Sequence, residues 1–171
     1  MNKTIEIIKS RVSCRSYTDK RVPASKLIQI VEAGKYAPSG RNRQICNIVV
    51  IRNKKVLARI TEASMKAVNR DCIYGANTLC IVYGKKDEPL VVQDGSCILE
   101  NMFIAATALK VDSCWINQLD DMLSDPENKK LRDKIGIGED ERVIGSVILG
   151  YRKEDNIPVK PRKDNFVRFI K

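Results

Sequence analysis

Histidine is absent from all 171 residues. That excludes Ser-His-Asp and Cys-His catalysis and removes the commonest metal ligand. Cysteine occurs six times, at Cys14, Cys46, Cys72, Cys80, Cys97 and Cys114, but never as a CxxC pair. The spacing argues against zinc, iron–sulfur or a redox dithiol and predicts reduced, partly buried packing residues. No GxxxxGK[ST] phosphate loop and no GxGxxG appears, and Gly136 and Gly138 in KIGIGED follow a helical stretch instead of opening one. Aromatic residues make up 5% of the chain, with no basic run interleaved with Tyr or Phe. A stacking platform for nucleic acid is therefore not expected. No run approaches the ~20 apolar residues of a membrane span, and MNKTIEIIKSR lacks the apolar stretch of a secretory signal. Together these absences predict a cytoplasmic protein with no membrane or nucleic-acid partner. If it is an enzyme, a bound cofactor carries the chemistry.

Positive charge is abundant: 31 Lys and Arg against 21 Asp and Glu give a formal net charge of +10. The cations are scattered along the chain, which suits a solvated basic surface as well as an anionic small molecule such as a phosphorylated cofactor. The length predicts a single domain over residues 1–171.

The elements alternate in type. Helices are predicted at 4–10 and 24–35, the second carrying Leu27, Ile28 and Val31 at helical spacing and stopping at APSG. Strands rich in Val and Ile are predicted at 47–51, 78–83 and 143–149, with a helix from 54 to about 67 after the first. The longest helix is placed at 92–109, with Leu99, Met102, Phe103, Ala106 and Leu109 as its buried stripe. SCWIN then reads as extended, and DPENKKLRDKIG as a helix with Pro126 near its start and Gly136 as its stop. After Gly150 the basic tail, with Pro158 and Pro161, ends in FVRFI. Such a tail is expected to pack across a second subunit.

Four clusters could bind a ligand. In SRVSCRSY, Arg11, Ser13 and Arg15 alternate, so an extended backbone would point both guanidinium groups and the hydroxyl to one side. Arginine suits a phosphate clamp because its planar fork gives paired, charge-assisted hydrogen bonds; the alternative is a helix end with exposed arginines. APSGRNRQ packs polar donors and positive charge into a turn that precedes an apolar strand, although many loops do so. QDGSCILENMFIAATALKVDSCWIN buries small and apolar residues and ends at the only tryptophan, Trp115, which simple packing also explains. KPRK, spanning 160–163, adds charge far along the chain.

Taken in order, RxSxR, APSGxNxQ before a Val/Ile strand, DGxxxxxNMxxAA with SCWI, and ILGY with KPRK resemble the nitroreductase-like family of FMN-dependent oxidoreductases. The resemblance runs from Arg11 to Lys163. It implies an α+β fold, a mixed, mainly antiparallel sheet flanked by helices, completed as an intertwined homodimer with FMN at the interface. It assigns Arg11, Ser13 and Arg15, with Val12 between them, to the FMN phosphate and ribityl chain, and Lys160 or Arg162 to the far side of the phosphate. Pro38, Ser39, Gly40, Asn42 and Gln44 would meet the flavin of the other protomer, and the backbone at Cys114 and Trp115 would approach the isoalloxazine. No side chain is assigned a catalytic role, because the flavin carries the chemistry. The implied activity is ping-pong transfer from NADH or NADPH to nitroaromatic, quinone or similar electron-poor acceptors. Flavin destruction, reductive dehalogenation and flavin binding without turnover remain alternatives within the same fold, as does a basic nucleic-acid-binding module outside it. The sequence departs from the family at Ile45 and Cys46, where Pro and Trp are common, at Val12, often basic, and at Lys110, commonly glycine.

Overall fold

The computed structural model describes residues 2–155 and 157–170. Four strands, β1 (Cys46–Ile51), β2 (Thr78–Lys85), β3 (Asp112–Ile116) and β4 (Glu141–Gly150), form one sheet in the order β1-β2-β4-β3. All three pairings are antiparallel. The sheet is therefore antiparallel, not mixed as the family resemblance implied; the one parallel pairing among the described residues is an isolated bridge between Ser13, outside the strands, and Ser113.

Helices cover both faces, which is why β2 reads as an unbroken apolar run. Leu79 and Ile81 turn to a cluster containing Val56, Leu57, Ile60, Leu119 and Leu131. Cys80 and Val82 turn to Leu27, Ile30, Leu99, Met102 and Phe103. The first set comes from α3 (Lys54–Val68), α5 (Leu119–Ser124) and α6 (Lys129–Ile135), the second from α2 (Ala24–Lys35) and α4 (Val91–Ala108). The remaining helix, α1 (Lys3–Ser10), packs on α4 and has no buried residue. Local signals set the ends. Asn53 accepts from the backbone N–H groups of Lys55 and Val56 to cap α3. Gly136 ends α6 at φ +85°, a conformation in which a Cβ is penalised.

Four further details differ from the sequence reading. Ile28 is 66% exposed, because the inward stripe of α2 is Leu27, Ile30 and Gly34, and Ile28 rotates to the open side. DPENKKLRDKIG is a 3-10 turn at Pro126–Asn128 followed by α6, not one helix. The six-residue α5 before it is too short for its periodicity to show. Leu109 caps α4 and is half-buried, not part of the stripe.

Candidate functional site

Arg11, the residue after α1, is already extended at φ −60°, ψ 126°. From it the chain leaves as a ribbon alongside β3. The Cys14 N–H donates to the Ser113 carbonyl at 3.0 Å; further along, the Thr18 N–H donates to the Tyr151 carbonyl at 2.8 Å and the Lys153 N–H to that of Ser16 at 3.1 Å. Two buried side chains hold the ribbon down. Cys14 is fully enclosed, and the Tyr17 hydroxyl donates to the Cys14 carbonyl at 2.9 Å. Burial, first of all, pushes both groups above their ordinary pKa and keeps them neutral. The Tyr17 ring lies against Gly150, where an added Cβ would be 2.6 Å from a ring carbon. With Cys14 turned inward, Ser13 is half-buried and Arg15 exposed on the ribbon's outer side. The Arg11 guanidinium donates to Ser13 Oγ at 3.5 Å and lies 5.9 Å from the centre of the Phe103 ring.

The chain after β4 returns across this ribbon. Arg152 is fastened to the Asp112 carboxylate through its backbone N–H at 2.9 Å, its Nε at 2.7 Å and a terminal guanidinium nitrogen. Beyond that pair, Ile157, Pro158, Val159, Lys160 and Arg162 join Arg11, Val12, Ser13 and Arg15 around a cavity of about 200 Å³. Lys163 is not among its lining and lies over the Phe166 ring at 5.3 Å. Among the described residues, no carboxylate pairs with Arg11, Arg15, Lys160 or Arg162. Four cations around one hydroxyl-bearing recess can hold a phosphate-like anion.

β3 runs beside the ribbon. Burial raises the pKa of the Cys114 thiol, against a lowering influence of Arg15, so Cys114 is a protonated packing residue. Trp115 stacks on Phe103 with ring centres 6.1 Å apart and covers Gly145, where an added Cβ would be 2.4 Å from an indole carbon. Its indole is therefore part of the α4 packing.

The 38–44 loop sits at the other end of α4. Arg41, Asn42 and Gln44 are held at φ +53°, +55° and +51°, a left-handed geometry unfavourable to residues with a Cβ. Ser39 Oγ accepts from the Gln44 N–H at 3.1 Å, and Gln44 Nε2 donates to Asn42 Oδ1 at 3.1 Å. Outward bonds tie the loop to α4 and to the turn before it: the Gly40 N–H donates to both Asp94 carboxylate oxygens at 3.1 and 3.2 Å, and Arg43 pairs with Glu88 at 2.5 Å. After the loop, the Cys46 thiol donates to the Val91 carbonyl at 3.4 Å, and burial, assisted by Asp94, pushes it up to about 11. Pro38, Ser39 and Gln44 line a separate cavity of about 430 Å³, together with Val31, Ile48, Asp94 and Ile98.

The fold thus gathers Arg11, Val12, Ser13, Arg15, Lys160 and Arg162 at one recess, with Cys114 and Trp115 on the adjoining strand. It leaves Pro38, Ser39, Gly40, Asn42 and Gln44 elsewhere on the protomer. Sequence reasoning missed Arg152 and Asp112, which set the return of the tail, Ile157 and Pro158, which wall the recess, and Asp94. Only Asp94 carried a signal, an acid in the first turn of a helix.

The class defined here is an α+β protein with an antiparallel four-stranded sheet and a cationic recess built from its N-terminal ribbon and C-terminal tail. The chain belongs to the Nitroreductase family, whose pattern matches residues 8–71 and 64–151. A solved nitroreductase with bound FMN from Bacteroides fragilis is 35% identical over all of both chains, with a TM-score of 0.91. A nitroreductase with bound FMN from Desulfitobacterium hafniense shares the fold at a TM-score of 0.90 and 23% identity, again over the whole of both chains. A protein of Archaeoglobus fulgidus, provisionally named an NADH dehydrogenase/NAD(P)H nitroreductase, is 29% identical over 157 residues, 91% of this chain and 88% of its own. No helix among the described residues is long and apolar enough to cross a membrane.

Proposed function

We propose that this chain is an FMN-dependent NAD(P)H oxidoreductase working on electron-poor acceptors such as nitroaromatics or quinones. The observation that carries the reading is the cluster of Arg11, Arg15, Lys160 and Arg162, without carboxylate partners among the described residues, around one recess in a chain of this family.

The residues present fit the phosphate end of FMN. Arg11 and Arg15 offer guanidinium forks, Ser13 a hydroxyl, and Lys160 with Arg162 closes the recess from the tail. Bound FMN supplies the redox chemistry, a hydride in from NADH or NADPH and electrons out to the acceptor in a ping-pong cycle. The chain binds, orients and supplies a positive field. With no histidine among its residues it uses no imidazole acid or base, and its excess of cations steers anionic cofactors inward at rates that fall with added salt.

The protein acts as a homodimer in this reading, with the 38–44 loop facing the flavin held by the other protomer. Two features support it. The loop lies away from the cation recess of its own chain. Phe166, Phe169 and Ile170 of the tail are 75%, 84% and 89% exposed, an apolar edge left open to solvent on its own protomer. Size-exclusion chromatography of a variant truncated after Tyr151 tests the tail's part: an unchanged dimer removes the tail from the interface.

The test of the function is a visible absorption spectrum of purified protein, before and after anaerobic NADH and then NADPH. Flavin bands that bleach on addition are expected and identify the donor. Protein that stays colourless after incubation with FMN overturns the reading. So does a reconstituted dimer that oxidises neither nucleotide with any such acceptor.

A further inference from the structure

Asp94 is one of six polar or charged side chains buried among the described residues, at 6% exposure. Its surroundings are distinctive. Both carboxylate oxygens converge on a single backbone N–H, that of Gly40. Asp94 lies in the first turn of α4, where unpaired helix N–H groups favour a carboxylate. Gly40 comes close enough to this helix end that an added Cβ would lie 2.3 Å from the Leu90 side chain. The residues that follow, Arg41, Asn42 and Gln44, hold the left-handed geometry described above, which persists only where surrounding contacts over-determine it.

We infer that Asp94 is a positioning residue: its carboxylate latches the 38–44 loop to the start of α4 and holds it in the one shape it presents outward. The inference rests on the reading that this loop faces a cofactor, but the latch itself does not depend on it. The same helix carries Phe103 beneath Arg11 at its other end, so α4 sets the loop and the cation recess on one rigid element. Without the carboxylate, the Gly40 N–H loses its acceptor, and the left-handed residues lose the contact that fixes the loop's start.

Trypsin reads the latch directly, because Arg41 and Arg43 are exposed cleavage sites inside the loop. The purified full-length chain, Asp94→Ala and Asp94→Asn are digested in parallel, and their cleavage sites are mapped by mass. Asp94→Ala is expected to be cut after Arg41 and Arg43 at least ten times faster than the unaltered chain, with cleavage at other Lys and Arg sites unchanged. Asp94→Asn keeps one acceptor oxygen and is expected two- to five-fold faster. General acceleration at all sites signals global destabilisation and overturns the latch, as does an unchanged rate at Arg41 and Arg43. Where Asp94→Ala fails to fold, the asparagine variant carries the test on the same criteria.

FMN titration of the same proteins, followed by flavin fluorescence, separates the two claims. A five- to ten-fold higher Kd in Asp94→Ala, alongside faster loop cleavage, supports both. Faster cleavage with unchanged Kd supports the latch and removes the loop from the cofactor site.

Discussion

The two ends of α4 hold two different kinds of surface. At one end the ribbon and tail present Arg11, Arg15, Lys160 and Arg162 around a recess with no anion from the described chain to neutralise them. At the other, the 38–44 loop is closed upon itself: Ser39, Asn42 and Gln44 bond one another, Gly40 bonds Asp94, and Arg43 bonds Glu88. The first region repels itself and can hold an anion. The second is held by bonds within the loop and to its neighbours, with Arg41, Asn42 and Gln44 in left-handed geometry. In the proposed dimer the first would meet the cofactor's phosphate and the second the flavin held by the other protomer.

The largest expected effect breaks the first region alone. Replacing Arg15 with Ala removes an exposed cation from the recess while leaving the buried anchors Cys14 and Tyr17 in place. Charge-assisted hydrogen bonds contribute roughly 1.5–3 kcal/mol. FMN affinity should therefore fall about 10- to 100-fold, with thermal unfolding of the cofactor-free protein essentially unmoved; flavin occupancy equal to the unaltered chain takes Arg15 out of the site.

Next in size is Gly145→Ala, which strikes what the two regions share. A Cβ there would sit 2.4 Å from the Trp115 ring and 2.9 Å from Leu99 of α4, both packed against β4. Such overpacking costs about 1–3 kcal/mol. Denaturant unfolding should show that loss, together with a shifted tryptophan emission from the chain's only indole. A variant as stable as the parent would mean that the α4 packing yields more readily than these contacts imply.

How far the sequence foretold this arrangement depends on whether a feature was local. RxSxR was legible because alternation along an extended chain is a period-2 property, and Arg11, Ser13 and Arg15 do line one recess. The stripe Leu99, Met102, Phe103 and Ala106 of α4 followed from periodicity in the same way, and β2 from its unbroken run of apolar residues. Ile28 misled because apolar character alone does not fix which side of a helix faces inward; the glycine at 34, opposite Met102, shows where the contact falls. Asp94 was passed over within QDGSC, since its partner is 54 positions away and nothing local encodes that bond. Arg132 was invisible for a related reason. It is buried with no carboxylate partner among the described residues, donating to the carbonyls of Leu123, Ile137, Gly138 and Glu141, which come together only once the loop after α6 is folded.

Lys110 joins sequence and structure in a smaller prediction. The residue, a departure from the pattern the resemblance implies, lies at φ +54° directly after α4. A side chain with a Cβ in that region is disfavoured by about 1–2 kcal/mol, partly offset by the greater chain entropy that glycine loses on folding. Lys110→Gly should therefore stabilise the protein by about 0.5–1 kcal/mol, a rise of about 1–4 °C in Tm. A lower Tm would show that the lysine makes a contact worth more than its strain.

The smallest effect sharpens the account of the loop. Arg43 and Glu88 approach to 2.5 Å, yet their side chains are 49% and 23% exposed. Solvent screening and side-chain entropy leave such surface pairs worth about 0.2–1 kcal/mol. Glu88→Gln keeps both tryptic sites in the loop and removes only this charge, so cleavage after Arg41 and Arg43 should quicken less than three-fold, well short of the change expected at Asp94. The ordering matters more than either rate. If Glu88→Gln loosens the loop as much as Asp94→Ala does, the exposed ion pair shares the latch, and the buried carboxylate is one support among several.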